Sequence, residues 1–424
     1  MPLPHWISAP SPAEDVRAEQ SNLASWQSAA DALASPLCPV WNRAWRLACD
    51  VGPSLARFGP ALDNGSCARA DASDYESLFV ASSVREVPLV FVPTLALREF
   101  CETVLPRIPA ARRFVLVTGL ADWGPARCFG EGDAARGYEA AAALAADGRV
   151  VTWWAEMLDI FCEKVRSLPL GVDLHTLAFK QSERPAWGPT QPPAAQVAAL
   201  SRAMSDAPPR AHRDPRAFVF WGIRNRDRVN ISTALASRVG EECVADFDTS
   251  PPGSVERSEM WARMGAHAAI VCVAGYGVDC HRTWEALLLD CAVVVRESPW
   301  AQAALAGHRA FFVDAEGGAK AWAAIDKSDI ARAVSPIDEV ASAESFLWSL
   351  VGGEALRAAP LGALATAALQ GYTAPHGALL TSAQLAESTA RSDCDHAGND
   401  LSPRHRLLLA STWIVAMRRS AQAV

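Results

Sequence analysis

Two periodicities alternate along the middle of the chain. Short β-rich apolar runs, "LVFV" (89–92), "FVLVTG" (114–119), "RVVTWW" (149–154) and "KVRSLPLG" (164–171), are separated by stretches such as "LALREFCETVL" (95–105), whose apolar residues recur at helical spacing. Strands interleaved with helices predict βαβ units and a mostly parallel sheet. The alternation stops at residues 183 to 216, where "ERPAWGPTQPPAAQ" and "APPRAHRDPR" flank a short helical piece. Proline at this density resists helix interiors and central strands, so the interdomain linker is placed here.

A second series follows: "AFVFWG" (217–222), "ECVADF" (242–247), "AAIVCVAG" (268–275), "AVVVRE" (292–297) and "RAFFVD" (309–314), with helical patterns near 228–238, 255–264 and 299–306. A further helix is expected inside "AGYGVDCHRTWEALLLDCAVVV" (274–295). The fold class predicted is α/β, with two Rossmann-like doubly wound domains in tandem. A ligand would then lie in the cleft between them, at the carboxyl ends of the strands. The expected boundaries are an extension over 1–75, a first domain over 76–205, a second over 206–350 and a tail over 351–424. The tail ends in an amphipathic closing helix at "LLLASTWIVAM" (407–417), about half the ~20 residues that a membrane span requires.

A length of 424 residues exceeds one ordinary core and agrees with two domains plus extensions. The net charge of -8 argues against a nucleic-acid surface, which needs a concentrated Lys/Arg excess. The eleven cysteines have no C-x2-C pair and no regular spacing. Several lie in apolar runs (Cys101, Cys162, Cys272, Cys291), so buried reduced thiols are expected rather than a disulfide framework. The N-terminus has no basic region followed by an apolar core, and no signal peptide is read there.

Candidate chemistry concentrates at residues 275 to 285. On a 3.6-residue period Cys280, Trp284, Leu287, Leu288 and Cys291 form one core-facing stripe, while His281, Arg282 and Glu285 fall on another side, clear of the core. Gly275 and Gly277 allow a tight turn out of the strand, and Asp279 stands where an N-cap belongs. A helix start with unpaired N–H groups, a positive dipole end and two donor side chains suits a diphosphate. Glu285, one turn further in, is placed to accept from ribose or sugar hydroxyls. The same residues also fit a solvated face with a local ion pair. The glycine pair imitates a dinucleotide fingerprint, with Glu297 twenty residues past Gly277, but Cys280 occupies the third glycine position.

"GYGVDCHRTWEALLLDCAVVV" resembles the exostosin-like glycosyltransferases at Gly275, Gly277, Asp279, His281, Arg282, Trp284, Glu285, Ala286 and Leu287. "FVLVTGLADWGP" (114–125) and "KVRSLPLGVDLHTL" (164–177) are similar to two further segments of that family, in the same order. The resemblance implies a GT-B fold and transfer of a sugar from a nucleotide diphosphate donor, expected to be UDP-linked, to a glycan or glycoprotein hydroxyl with inversion. It implies no metal and no cofactor beyond the donor substrate. Tyr276 between the glycines and Asp290 at a common glycine position depart from the family pattern. They keep open a member that binds nucleotides or glycans without turnover; an NAD-dependent oxidoreductase is the other alternative. Eukaryotic members commonly work in the Golgi lumen behind an anchor, and localisation is left open between there and the cytoplasm.

In a GT-B enzyme the loop "WGIRNRDRVNI" (221–231) would face the cleft, so Arg224, Arg226 and Arg228 are candidates for neutralising the leaving diphosphate, Arg228 foremost. The alternative is a solvated basic loop. Asp122, Asp173 and His175 are rival candidates for the base that deprotonates the acceptor. "DFD" (246–248) is read as a turn rather than a metal-binding pair, and "DCDH" (393–396) as an exposed loop.

Overall fold

A computed structural model of the chain describes residues 41–53, 70–80, 87–130, 133–179, 185–220, 226–236, 244–248, 255–275, 277–305, 308–334 and 417. The first parallel sheet holds β1 (Leu89–Pro93), β2 (Phe114–Gly119), β3 (Val150–Ala155) and β4 (Val165–Ser167) in sequential order. β1 and β2 are buried along their whole length, which is why their apolar runs are continuous rather than alternating. The second parallel sheet holds β5 (Asp214–Phe220), β6 (Val244–Asp248), β7 (His267–Val271), β8 (Ala292–Arg296) and β9 (Ala310–Val313) in the order β6-β5-β7-β8-β9. This is a doubly wound order whose direction reverses between β5 and β7. The architecture is mixed α/β with parallel, Rossmann-like sheets.

Several segments differ from expectation. The stretch 95–105 forms a run of short 3-10, α and π turns from Thr94 to Arg107 instead of one α-helix. Residues 246–248 belong to β6, in register with Phe218, Val219 and Phe220 of β5, and not to a turn. Part of the supposed extension belongs to the first core: Trp41 and Trp45 at the helix Asn42–Ala48 are fully buried with Tyr75, and Val51 bridges to Val90. Large aromatics bury ~150–250 Å2 each, so these rings are core-forming. Met417 of the tail packs into the same core. The rest of the expected closing helix, "DCDH", Arg224 and Tyr276 lie outside the described residues.

The helical piece expected within the proline-rich interval is present and long. The helix Pro193–Asp206 starts with proline in its first turn, where the missing N–H costs nothing. After it, Arg213 donates through Nε to Pro208 O at 2.8 Å and through Nη1 to Leu289 O at 2.8 Å, while Arg210 pairs with Asp290.

Among the described residues every cysteine is unbridged; Cys272 and Cys291 are buried as expected, Cys101 is half-buried and Cys162 is exposed. No described helix is long and apolar enough to cross a membrane.

The helices Pro125–Gly130 and Ala134–Ala146 cross at Gly137, where an added Cβ would meet Ala126 O at 1.9 Å and Gly130 N at 2.9 Å. Gly137→Ala is therefore expected to destabilise by about 1–3 kcal/mol, through overpacking against backbone that cannot rotate away. Gly148→Ala, with nothing within 4 Å of the added carbon, is the matched control and stays near neutral. Equilibrium urea unfolding of the two variants checks the contrast.

Candidate functional site

The switch point of the second sheet gathers the predicted cations. Arg228, on the helix Arg226–Ala236 that follows β5, is buried and donates through Nε to Ala274 O at 3.0 Å and through Nη2 to Val273 O at 3.1 Å, just beyond β7. Its guanidinium lies against Gly275, where an added Cβ would meet Nη2 at 3.4 Å. Arg226 begins the same helix, and its side chain lies outside the described residues. Arg282 places its guanidinium 5.8 Å from the ring centre of Phe220, the last residue of β5. In sheets of this order, ligands bind outside the carboxyl ends of the two strands that flank the reversal.

The helix His281–Leu288 carries the densest set of contacts. Its N-cap is Cys280, in extended conformation without a side-chain cap, not Asp279 as expected. Asp279 lies one residue earlier because its carboxylate is drawn inward: Oδ1 accepts from Cys280 N at 2.7 Å, Oδ2 from Leu170 N at 2.9 Å, and both oxygens from Trp284 Nε1 at 2.9 Å. Burial pushes this carboxyl up to about 7, against the lowering by its donors. At the other end Asp290 takes φ +59, while Asp290 N donates to Leu287 O and Cys291 N to Ala286 O. This is the glycine-type closure of a helix, and Arg210 and Arg309 hold the aspartate in it.

Gly277 serves a different purpose from the tight turn expected of it. It has no positive φ, and an added Cβ would meet Asp122 O at 2.4 Å and Met157 Sδ at 2.5 Å. The position must be bare because the loops after β2 and β3 press on it. This close approach brings the backbone of Asp122 to the helix start, while Asp122 itself is an exposed residue. Beneath it Glu156 is fully buried, accepting from Leu120 N at 2.8 Å, and burial pushes its carboxyl well above the usual range.

The segment after β4 is clamped to the same helix. His281 Nδ1 lies 2.7 Å from Gly171 O. A carbonyl only accepts, so this nitrogen carries the proton and the neutral ring keeps its lone pair on Nε2. His175 Nδ1 faces Asp173 Oδ1 at 3.1 Å, and the rings of His175 and His281 have centres 5.3 Å apart. Asp173 is fixed by Thr176, whose N reaches Oδ1 at 2.9 Å and whose Oγ1 reaches Oδ2 at 2.7 Å. Burial alone would raise the Asp173 carboxyl, but electrostatic interaction with His175, His281 and Arg257, together with the Thr176 N–H, holds it well below the usual carboxylate range.

Glu285 does not face outward. It is buried, with Oε1 accepting from Arg257 Nη2 at 2.5 Å and from Asp173 N at 3.3 Å, and Oε2 from Trp261 Nε1 at 3.3 Å. Arg257, which sequence reasoning missed, also donates to Asp173 O at 2.9 Å and lies over the rings of Trp187 and Trp261. A buried arginine at the start of a helix pattern, far in sequence from Asp173 and Glu285, gave no local sign of those partners. Asp122, Asp173, His175, Gly277, Asp279 and His281 therefore meet around one helix start. Gly275, Arg228 and Arg282 line the neighbouring strand ends, and Glu285 braces the construction from below.

Compared with protein-family models and with curated proteins, the chain matches none.

Two outcomes follow from this geometry. Arg257→Ala and Glu285→Ala each strand a buried charge and are expected to cost about 3–5 kcal/mol, with the double variant costing clearly less than their sum; urea unfolding of the cycle measures the coupling. For Asp279, a folded-state value of about 7 against an ordinary 3.8 means that folding takes up a proton between those limits. Its favourable contribution is complete below the unfolded value and lost as pH rises through 7, so it opposes any rise in stability across that window. Asp279→Asn removes the effect, making unfolding free energy change more positively with pH by at most about 1.4 kcal/mol per unit between pH 4.5 and 6.5. Denaturant midpoints of the two proteins across that range decide it.

Proposed function

We propose that the protein is a glycosyltransferase of the exostosin-like kind, its two sheets forming the halves of a GT-B enzyme. It moves a sugar from a nucleotide diphosphate donor, UDP-linked for preference, to a hydroxyl of a glycan or glycoprotein. The observation that carries this reading is the placement of Arg228 and Arg282 at the carboxyl ends of β7 and β5, with His281 at the neighbouring helix start and His175 brought beside it by the segment after β4. The three segments that resemble the family are the ones that build this region.

In the proposed reaction the cations and the first turn of His281–Leu288 receive charge that grows on the departing diphosphate, where electrostatic preorganisation contributes most to rate. His175 is the favoured base. Its Nδ1 lies 3.1 Å from Asp173 Oδ1, and Nε2 would take the acceptor proton as the oxygen attacks the anomeric carbon from the face opposite the leaving group. Asp173 is committed to Thr176, His175 and the neighbourhood of Arg257, which makes it a positioning residue. Glu285 acts on the site through Arg257 and the Asp173 backbone rather than on ribose.

Thermal unfolding with UDP, GDP, CMP and NADH tests donor binding. A nucleoside diphosphate at a hundred times its Kd is expected to stabilise the native chain by about 2.7 kcal/mol, raising Tm. The rise should vanish in Arg282→Ala, which leaves the Glu285 brace intact. His175→Ala should keep the rise while lowering turnover of a UDP-sugar donor ~100-fold or more, the usual scale of a general base. Stabilisation by UDP without any turnover by the unaltered chain would mark a binding protein instead. Stabilisation by NADH alone would replace the transferase with an oxidoreductase.

A further inference from the structure

Asp173, His175 and His281 each present one ligand-type atom, and the three atoms lie within 4.8 Å of one another. Atoms bound to one zinc ion at ~2.0–2.1 Å lie roughly 3.0–3.4 Å apart. The 3.1 Å between His175 Nδ1 and Asp173 Oδ1 already has that spacing. Two imidazoles sharing a tetrahedral ion have ring centres roughly 5 Å apart, and those of His175 and His281 are 5.3 Å apart.

The surroundings are those of a metal site as well. Gly171 O holds the proton of His281 on Nδ1 and so turns Nε2 into a ligand. Thr176 fixes the carboxylate of Asp173 through both of its oxygens. Arg257 pairs closely with Glu285 and lies 3.9 Å from Asp173 Oδ2, while Asp173 Oδ1 faces His175. Both histidines are half-buried and the aspartate is buried. Two nitrogens and one carboxylate oxygen suit a borderline ion better than magnesium or calcium.

We propose that Asp173, His175 and His281 bind one divalent transition-metal ion of the zinc class, through one carboxylate oxygen and two ring nitrogens, with a fourth position open to an oxygen ligand. With Nδ1 of His175 on the ion, its Nε2 keeps the proton of the neutral ring and cannot serve as the base. A water in the open position would lose a proton to solvent more readily, and the hydroxide so formed would take the acceptor proton instead. The site does not depend on the transferase reading, because metal uptake and nucleotide binding are measured separately.

The test is calorimetric titration of the full chain, stripped with EDTA, with zinc chloride. Cobalt(II) is then added as a spectroscopic probe of tetrahedral geometry. One ion per chain is expected, with affinity lowered ~100-fold or more in both His175→Ala and His281→Gln, since loss of a ligand should exceed the ~10–100-fold cost of losing an outer partner. His281→Gln retains a donor for Gly171 O, so its effect reports the ligand rather than the loop contact. His212→Ala, at an exposed position, should bind as the unaltered chain does. Cooperative unfolding of each variant in EDTA verifies the fold, and either histidine variant alone decides the matter. The proposal is overturned by no stoichiometric ion in the unaltered chain, or by uptake that both substitutions leave unmoved. It is equally overturned if the metal-free chain binds inorganic phosphate through the two histidines and takes no ion.

Discussion

One buried ion pair organises the candidate site. Arg257 and Glu285 come from different helices, and each is shielded from water. Charges removed from solvent are tolerable only with close partners and further hydrogen bonds, and here those bonds go to one place. Arg257 reaches the carbonyl of Asp173 and Glu285 its amide. The backbone after β4 is thus gripped on both of its polar groups at one residue. His175 lies two positions onward and Gly171, which orients His281, two positions back.

Around this grip the two sheets contribute unlike materials. The second supplies cations at the reversal of its strand order, an arrangement that follows from topology because consecutive strands diverge there and leave a crevice. The first supplies loops, pressed so closely that Gly277 has no room for a side chain. Asp279 makes the junction double: its carboxylate takes the amide of Leu170 while also fixing the Trp284 indole inside its own helix. A burial cost is accepted at Asp279 and Glu156 in exchange for order at the loops they bind.

The alternation of apolar runs and helical spacing was enough to locate the nine strands among the described residues, most readily β1 and β2, because parallel strands buried on both faces leave continuous apolar stretches in the sequence. Less visible was anything decided by partners distant along the chain. The periodicity that put Glu285 outside the core was correct for the helix taken alone; it failed because Arg257 made an inward position tolerable. Asp279 resembled a cap for the same reason, its true partners Leu170 and Trp284 lying outside the local pattern. Trp41 and Trp45 stand in a segment of weak periodicity, and only their bulk hinted that it entered a core. The cluster of Asp173, His175 and His281 was present in sequence as two separate motifs, and their meeting is a tertiary event.

The latch at Asp290 bears on how the halves can move. Arg210 and Arg213 tie the end of the proline-rich interval to the turn that closes His281–Leu288, and the helix before them packs against Arg257–Gly265. What looked like slack between two bodies is a strut fastened at both ends, since Gln196 Nε2 in the same helix donates to Leu174 O at 2.8 Å. The helix Pro193–Asp206 therefore ties the turn that closes His281–Leu288 to the segment that carries Asp173 and His175, so that a shift at either is felt at the other.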